Sequence, residues 1–447
     1  MHTSQAESSV YPKTILVLSI AVWLTVMNTT MFNVALPDVL DEFSLAPSEG
    51  AWIVSGYSIV LAIFTIAYTR LSDYIPIRNL LTIGIMIFGC SSILGFFADT
   101  FPWLLAARVG QAAGAAAIPG LSMVFAGRFV PIHRRGRAMA MIASASSLGF
   151  GLGPVVGGTI TDFLNWNYLF IVTVFVMAVI PLLFLLLPNQ ETKKASFDLL
   201  GGLLTGGAVT SFLLFVSTFE FLFLGAFALL AVMLAWRITH TEIPFIQPEL
   251  LANRGYRLIV YLSYIGFTLH FALLVLMPLM IGQVFDLSAT KVGLIIFPGA
   301  MLSAVAAIYV GRLIDEYGNI RVMLLSQILL MISALIFTFL SPLSVYMIMI
   351  GYMFTSFGFS SLSSSTTNEI SRILPKEQVA TGIGMKQLSQ FVGSASGAVL
   401  GTTILEWRNA TYSVSSFQWA YASLIILMTL STILFFVYRK RAQSLLS

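Results

Sequence analysis

Fourteen runs of about twenty apolar residues follow one another along this chain, each long enough to cross a bilayer as a helix. They lie near 14–36, 51–69, 80–98, 101–125, 137–161, 166–187, 198–217, 219–238, 257–282, 290–311, 321–340, 343–364, 379–404 and 417–438, the seventh and eighth close together. In hydrocarbon the backbone must satisfy its own hydrogen bonds, so such spans are helices. The expected class is an all-α polytopic membrane protein. Only 9% of the 447 residues are charged, against about a quarter in a soluble domain.

Charge placement orients the chain. With both termini on one side, that side holds 19 of the 23 Lys and Arg residues, and the other only Lys291 and Arg408. The positive-inside rule makes the basic side cytoplasmic. A miscount by one span would collapse this bias partway along. The expected location is the cell membrane, with a cytoplasmic tail at 1–13 and another at 439–447. The first apolar run is too long for a signal peptide, and the polar tail before it carries only Lys13.

Several function classes fall away. The net charge of +4 is not clustered on any water-exposed domain, so nucleic acid is not an expected partner. One cysteine and four histidines give neither a disulfide framework nor a metal set. There is no Ser/His/Asp set and no nucleotide-binding loop, so an enzyme or an ATP-driven pump is not expected. The loops are too short for a signalling domain.

An internal repeat appears next. After the second run the chain reads Thr69-Arg-Leu-Ser-Asp-Tyr-Ile-Pro-Ile-Arg78, and after the tenth Gly311-Arg-Leu-Ile-Asp-Glu-Tyr-Gly-Asn-Ile-Arg321. Asp73 and Asp315 each fall at a helix end, where a carboxylate accepts from free N–H groups or pairs with an arginine. With Arg78 and Arg321 they are candidate gating loops. The repeat divides the chain into a six-helix bundle over 14–187, two inserted helices over 198–238 and a second six-helix bundle over 257–438. Duplicated halves about a central site are a transporter architecture.

Inside the fifth run lies Gly149-Phe-Gly-Leu-Gly-Pro-Val-Val-Gly-Gly158. Gly149, Gly153 and Gly157 recur every four residues, a smooth strip for a close helix contact. With Pro154 and Gly158 the stretch reads as a bendable joint, expected at the face used against the other half.

These motifs, with Asn33-Val-Ala-Leu-Pro37, Arg108-Val-Gly-Gln111 with Gly114, and Phe297-Pro-Gly299, carry a resemblance. The chain resembles the major facilitator superfamily, and within it the fourteen-helix drug:proton antiporters, particularly tetracycline and multidrug exporters of Gram-positive bacteria. The resemblance implies the major facilitator fold of two six-helix halves plus two inserted helices. It also implies no cofactor beyond the proton-motive force, and a fourth helix lining the central cavity. There are departures. Thr69 and Pro76 stand where the first loop motif has glycine. Asn28 stands where relatives often carry an acid, and Ser396 falls in a stretch where some tetracycline exporters carry glutamate.

Ionisable groups within the membrane are functional hypotheses by default. The runs contain Arg108, His270 and Lys386. Arg108, with Gln111 one turn along, is read as a cavity or proton-coupling residue, against a structural arginine bonded to helix-end carbonyls. His270 suits proton carriage by its chemistry, or is a packing residue. Asp162 is a titrating carboxylate at the outer mouth, or a turn cap. Lys386 is expected to snorkel to the cytoplasmic surface. Asn28, Asn33 and Gln390 are candidate cavity residues, or bridges between helices. Trp23, Trp52, Trp103, Trp166 and Tyr57 read as interfacial anchors.

Intramembrane cations without a deep carboxylate favour neutral, zwitterionic or anionic amphiphiles. The expected protein is a monomeric exporter that trades a small amphipathic substrate, tetracycline-like or lipid-like, for protons. A proton-independent facilitator and a fatty-acid or lipid exporter are the alternatives.

Overall fold

The architecture is that of a computed structural model describing residues 3–44, 47–187, 198–241, 244–287, 289–407 and 413–444. Every regular element among them is helical. The first part comprises α1 (Thr3–Phe43), α2 (Pro47–Leu71), α3 (Ile77–Phe96), α4 (Phe101–Ala115), α5 (Ala117–Phe129), α6 (Ile132–Phe163), α7 (Tyr168–Val174) and α8 (Val179–Leu186). Then come α9 (Leu199–Thr218), α10 (Phe221–His240) and the short α11 (Pro248–Ala252). The last part holds α12 (Arg254–Gln283), α13 (Ala289–Tyr317), α14 (Asn319–Leu335), α15 (Val345–Ile373), α16 (Lys376–Trp407) and α17 (Val414–Ser444).

Several rods are broken but continuous. Pro119 cannot donate to the Ala115 carbonyl and its ring crowds it, so one rod parts into α4 and α5 around Ala116. A 3-10 turn over Phe175–Ala178 joins α7 to α8, and a π turn over Ile336–Leu340 extends α14. Ten helical stretches among the described residues are long and apolar enough to cross a membrane. Shorter apolar stretches lie at Gly56–Leu71, Leu200–Phe212 and Lys291–Ser303. The fourteen expected runs therefore emerge as ten full-length apolar helices beside shorter or more polar ones. The polar case is α16, with Lys386, Gln387, Gln390 and several serines.

The packing follows the repeat. In the first part α1 runs along α6 and α3 along α4; in the last, α12 runs along α16 and α14 along α15. The parts meet where α6 packs on α13 and α15, and α2 on α16. The α9–α10 pair leans on α2 and α16 mainly through α9, and no residue of α10 is buried.

Candidate transport site

Arg108 and Gln111 project from one face of α4 into a polar knot. The arginine is 1% exposed. Its Nη1 donates to Gln111 Oε1 at 2.8 Å and to Asn28 Oδ1 of α1 at 3.5 Å. Gln111 Nε2 in turn donates to Ser92 of α3 at 2.8 Å and to Thr173 of α7 at 3.3 Å. Two rings sandwich the cation, Phe32 at 4.1 Å and Tyr57 at 4.2 Å. No carboxylate pairs with it among the described residues. A desolvated guanidinium is tolerable here because amide oxygens and ring faces replace water, each face contributing up to about 2 kcal/mol.

The Tyr57 ring also lines a cavity of about 70 Å³ between the two parts, with Thr29, Ser58, Phe150, Phe271 and Gln390. That volume holds water but no drug-sized molecule, which needs roughly 300 Å³ or more. The parts are thus closed upon each other. Gln390 is 4% exposed, and its amide nitrogen has no partner among the described residues. His270 lies beside the cavity wall, its ring stacked on Phe359 at 4.0 Å and near Phe150 at 6.0 Å. Neither ring nitrogen has a partner among the described residues.

Lys386 does not snorkel. It is 2% exposed, and its Nζ turns inward to donate to the Ser363 carbonyl at 3.1 Å and to the Thr367 hydroxyl. The hydroxyl-rich face of α15 supplies a polar harbour inside the bundle.

The glycine strip of α6 faces α1, not the other half. A β-carbon on Gly149 would lie 2.9 Å from the Trp23 carbonyl, and one on Gly157 2.7 Å from the Met31 carbonyl. At Gly153 it would overlap the Thr30 hydroxyl. Pro154 leaves the Phe150 carbonyl without its helical donor, and the Thr30 hydroxyl sits 3.4 Å from that oxygen. The face toward the other part is the intervening one. Gly151 lies against Ala300, and Val155 against Gly293, of α13. Gly158 continues the helix, half-buried. The last part repeats the seam: a β-carbon on Gly393 of α16 would meet the Tyr264 carbonyl of α12 at 2.6 Å, and one on Gly397 would overlap the Thr268 carbonyl.

The loop carboxylates engage partners other than Arg78 and Arg321. Asp73 pairs with Arg128 and, at 3.1 Å, with Arg70. Arg70 also donates to Thr381 of α16 at 3.1 Å, and Thr381 donates to Asp73 at 3.4 Å. Arg78 instead lies over the Phe184 ring at 4.8 Å, and Arg321 is exposed. Asp315 accepts from the Gly136 backbone near the start of α6. Each loop aspartate thus meets the first turns of the other part's fifth rod. Although Asp315 remains surface-exposed, the partial desolvation of its carboxyl against α6 raises it to about 6, against the pull of His133, Arg137 and the Gly136 N–H. Arg135 adds a contact to Ser371 at 3.4 Å, and the Ser144 and Ser360 hydroxyls join α6 to α15 at 2.6 Å.

The side chains of Asn33, Trp52 and Asp162 lie outside the described residues. Tyr57 and Trp166 are not interfacial anchors: both are buried, Trp166 donating to Glu42 at 2.5 Å. Two further residues of α1 belong to the site without any motif to mark them. Phe32 stands one turn on from Asn28, and Thr30 one turn on from Met27. Glu369, 0% exposed, is fully engaged by Asn319, Arg372 and Tyr438 near the C-terminal end of α15.

A family model of the Major Facilitator Superfamily matches residues 18–344 and, overlapping, 258–446. The chain is 26% identical over 405 residues to the uncharacterized MFS-type transporter YcnB of Bacillus subtilis, covering 87% of this chain and 85% of YcnB. It is 24% identical over 377 residues to the riboflavin transporter RibZ of Clostridioides difficile, covering 82% of each. It is 24% identical over 411 residues to the multidrug resistance protein Stp of Mycobacterium tuberculosis, covering 89% of this chain and 76% of Stp. Among solved structures it resembles the human organic anion transporter MFSD10 (TETRAN), with a TM-score of 0.71 at 16% identity over 94% of this chain and 98% of that one. This last likeness shows the fold alone.

Proposed function

The chain belongs to the Major Facilitator Superfamily, and from that premise we propose that it exports a small amphipathic molecule in exchange for protons by alternating access. It is a multi-pass membrane transporter and not an enzyme. The observation that carries the proposal is the closed central cavity, lined from both parts and shut on the loop side by Arg70–Thr381, Asp73–Thr381 and Arg135–Ser371. Contacts of that kind must break for the cavity to open toward the loops.

In this reading fourteen crossings form two six-helix halves, with α9 and α10 inserted, both tails cytoplasmic and the protein monomeric in the cell membrane. The halves rock along the α6–α13 and α2–α16 seams. Arg108, held by Gln111 and Asn28, biases the cavity toward neutral, zwitterionic or anionic substrates, drug-like, tetracycline-like or lipid-like. RibZ and Stp are named for riboflavin and multidrug resistance, and both names suit such a range. His270, Asp162 and Arg108 are the candidate coupling residues.

A second reading, a proton-independent facilitator, is favoured by one observation: Asn28 meets Arg108 as a neutral amide. Proteoliposomes separate the two. An exporter loses substrate accumulation when an uncoupler collapses the pH gradient. A facilitator shows counterflow that the uncoupler leaves untouched.

A further inference from the structure

Outside the central cavity an apolar hollow lies at membrane depth, a groove of about 610 Å³ between α2, α9 and α10. Its walls include Ile63 and Phe64 of α2, Gly202 and Gly206 of α9, and Leu230 of α10. The volume is that of a ligand-sized site, nearly nine times that of the central cavity. The outer lip belongs to α10, whose Leu229 and Val232 are 62% and 67% exposed. In a membrane this lip faces acyl chains, because no water is present at that depth to fill an apolar hollow.

The inner wall is a thin layer of apolar side chains. Ile63 packs in a cluster with Ala62, Leu388 and Phe391, and Phe391 lines the central cavity from the other side. That wall is the seam between α2 and α16, one of the two seams along which the halves move apart. Opening the seam therefore joins groove to cavity without passing through water.

We infer that the groove is a lateral entry for one aliphatic chain of an amphiphile from the cytoplasmic leaflet, and that the inserted α9–α10 pair is there to form its outer wall. The inference rests on the transporter reading and on its orientation. The chain enters past α10, lies against Ile63 and Gly202, and slides through the parting seam beneath Phe391 while its head stays at the membrane surface.

Photolabelling tests this without any transport assay. Full-length protein in nanodiscs is exposed to dodecanoate bearing a mid-chain diazirine, and labelled peptides are mapped. The expected result is at least fivefold more label on 63–67 and 202–211 than on the lipid-facing Ile426–Ile433 of α17, with further label at Phe391. Gly202→Leu fills the groove, since its β-carbon has Phe245 no nearer than 3.4 Å. Thr210→Phe fills it from a second position. Both variants are expected to lose the label at the groove and at Phe391. Groove labelling no higher than on α17, absence of label at Phe391 in the wild type, or Phe391 labelling unchanged in the filled variants would each overturn the inference. Failure of proton-driven export leaves these readouts untouched, so the two failures are distinguishable.

Discussion

The Thr30 hydroxyl of α1 sits 3.4 Å from the Phe150 carbonyl of α6, the one carbonyl that Pro154 deprives of its helical donor. Gly153 makes the approach possible, because a β-carbon there would occupy the position of that hydroxyl. The glycines and proline of α6 therefore act as one device. Proline frees an oxygen, glycine clears the path, and the Thr30 hydroxyl of the neighbouring helix, shared with the Met27 carbonyl at 3.3 Å, is placed to donate to it.

A double-mutant cycle reads this coupling. Thr30→Val is expected to cost about 1–3 kcal/mol by leaving a buried carbonyl unsatisfied. In the Pro154→Ala background, where the restored N–H can donate, the cost of Thr30→Val should nearly vanish. Thermal unfolding of the four proteins in detergent gives the coupling directly, and strict additivity contradicts it.

Gly153→Ala is expected to destabilise by roughly 1–3 kcal/mol through overpacking. Gly225→Ala, with nothing within 4 Å of its β-carbon, should be neutral. Equal melting temperatures for the two variants would remove the close α1–α6 approach from the explanation.

Arg108 should resist conservative replacement. Lysine cannot reproduce a planar cation between Phe32 and Tyr57 while bonding Gln111. Arg108→Lys is expected to weaken substrate binding by about 2 kcal/mol, roughly thirty-fold. Phe32→Leu should lose a similar amount, and binding titrations on purified protein check both. Wild-type affinity in Arg108→Lys contradicts the sandwich.

Much of this architecture is legible in the amino-acid sequence. Apolar runs set the class, and the two loop motifs point to the repeat that the paired packing of α1 on α6 and α12 on α16 echoes. Contacts between distant rods are not legible there. An aromatic near a run's end is usually an interfacial anchor, and only the approach of α2 to α4 brings Tyr57 over Arg108 instead. The facing of the glycine strip escapes for the same reason: periodicity fixes which residues share a face, while the neighbour across that face depends on the whole bundle. Lys386 turns inward because the hydroxyls that receive it lie on another helix, α15, which no local pattern reveals.

Lys386→Met removes a buried charge that no carboxylate compensates among the described residues. Replacing such a charge with an apolar side chain of similar length is expected to leave the melting temperature unchanged or raise it. Transport should nevertheless fall steeply, as for a functional intramembrane cation. Unchanged transport would make the lysine a packing residue.

The loop-side closure should depend on pH. The Asp315 carboxyl is raised from its ordinary 3.8 to about 6 in the closed form, by burial first, with His133 and Arg137 of α6 opposing. A raised carboxyl contributes to closure fully below its ordinary value, and the contribution is lost as pH rises through about 6. Distances between spin labels at the tips of the α5–α6 and α13–α14 loops should lengthen between pH 5 and 7. Asp315→Asn should abolish the dependence, and a persisting dependence would assign it elsewhere.

The most direct measurement is uptake of a fluorescent amphiphile by inverted vesicles under an imposed pH gradient, for wild type, Gly151→Leu and Arg108→Ala. Proton-driven alternating access predicts accumulation by wild type that an uncoupler abolishes. Gly151→Leu, whose side chain would enter the α6–α13 seam against Ala300, should be inserted but immobile, and Arg108→Ala should move little substrate at any concentration. Wild-type rates in both variants, or accumulation indifferent to the gradient, would contradict it.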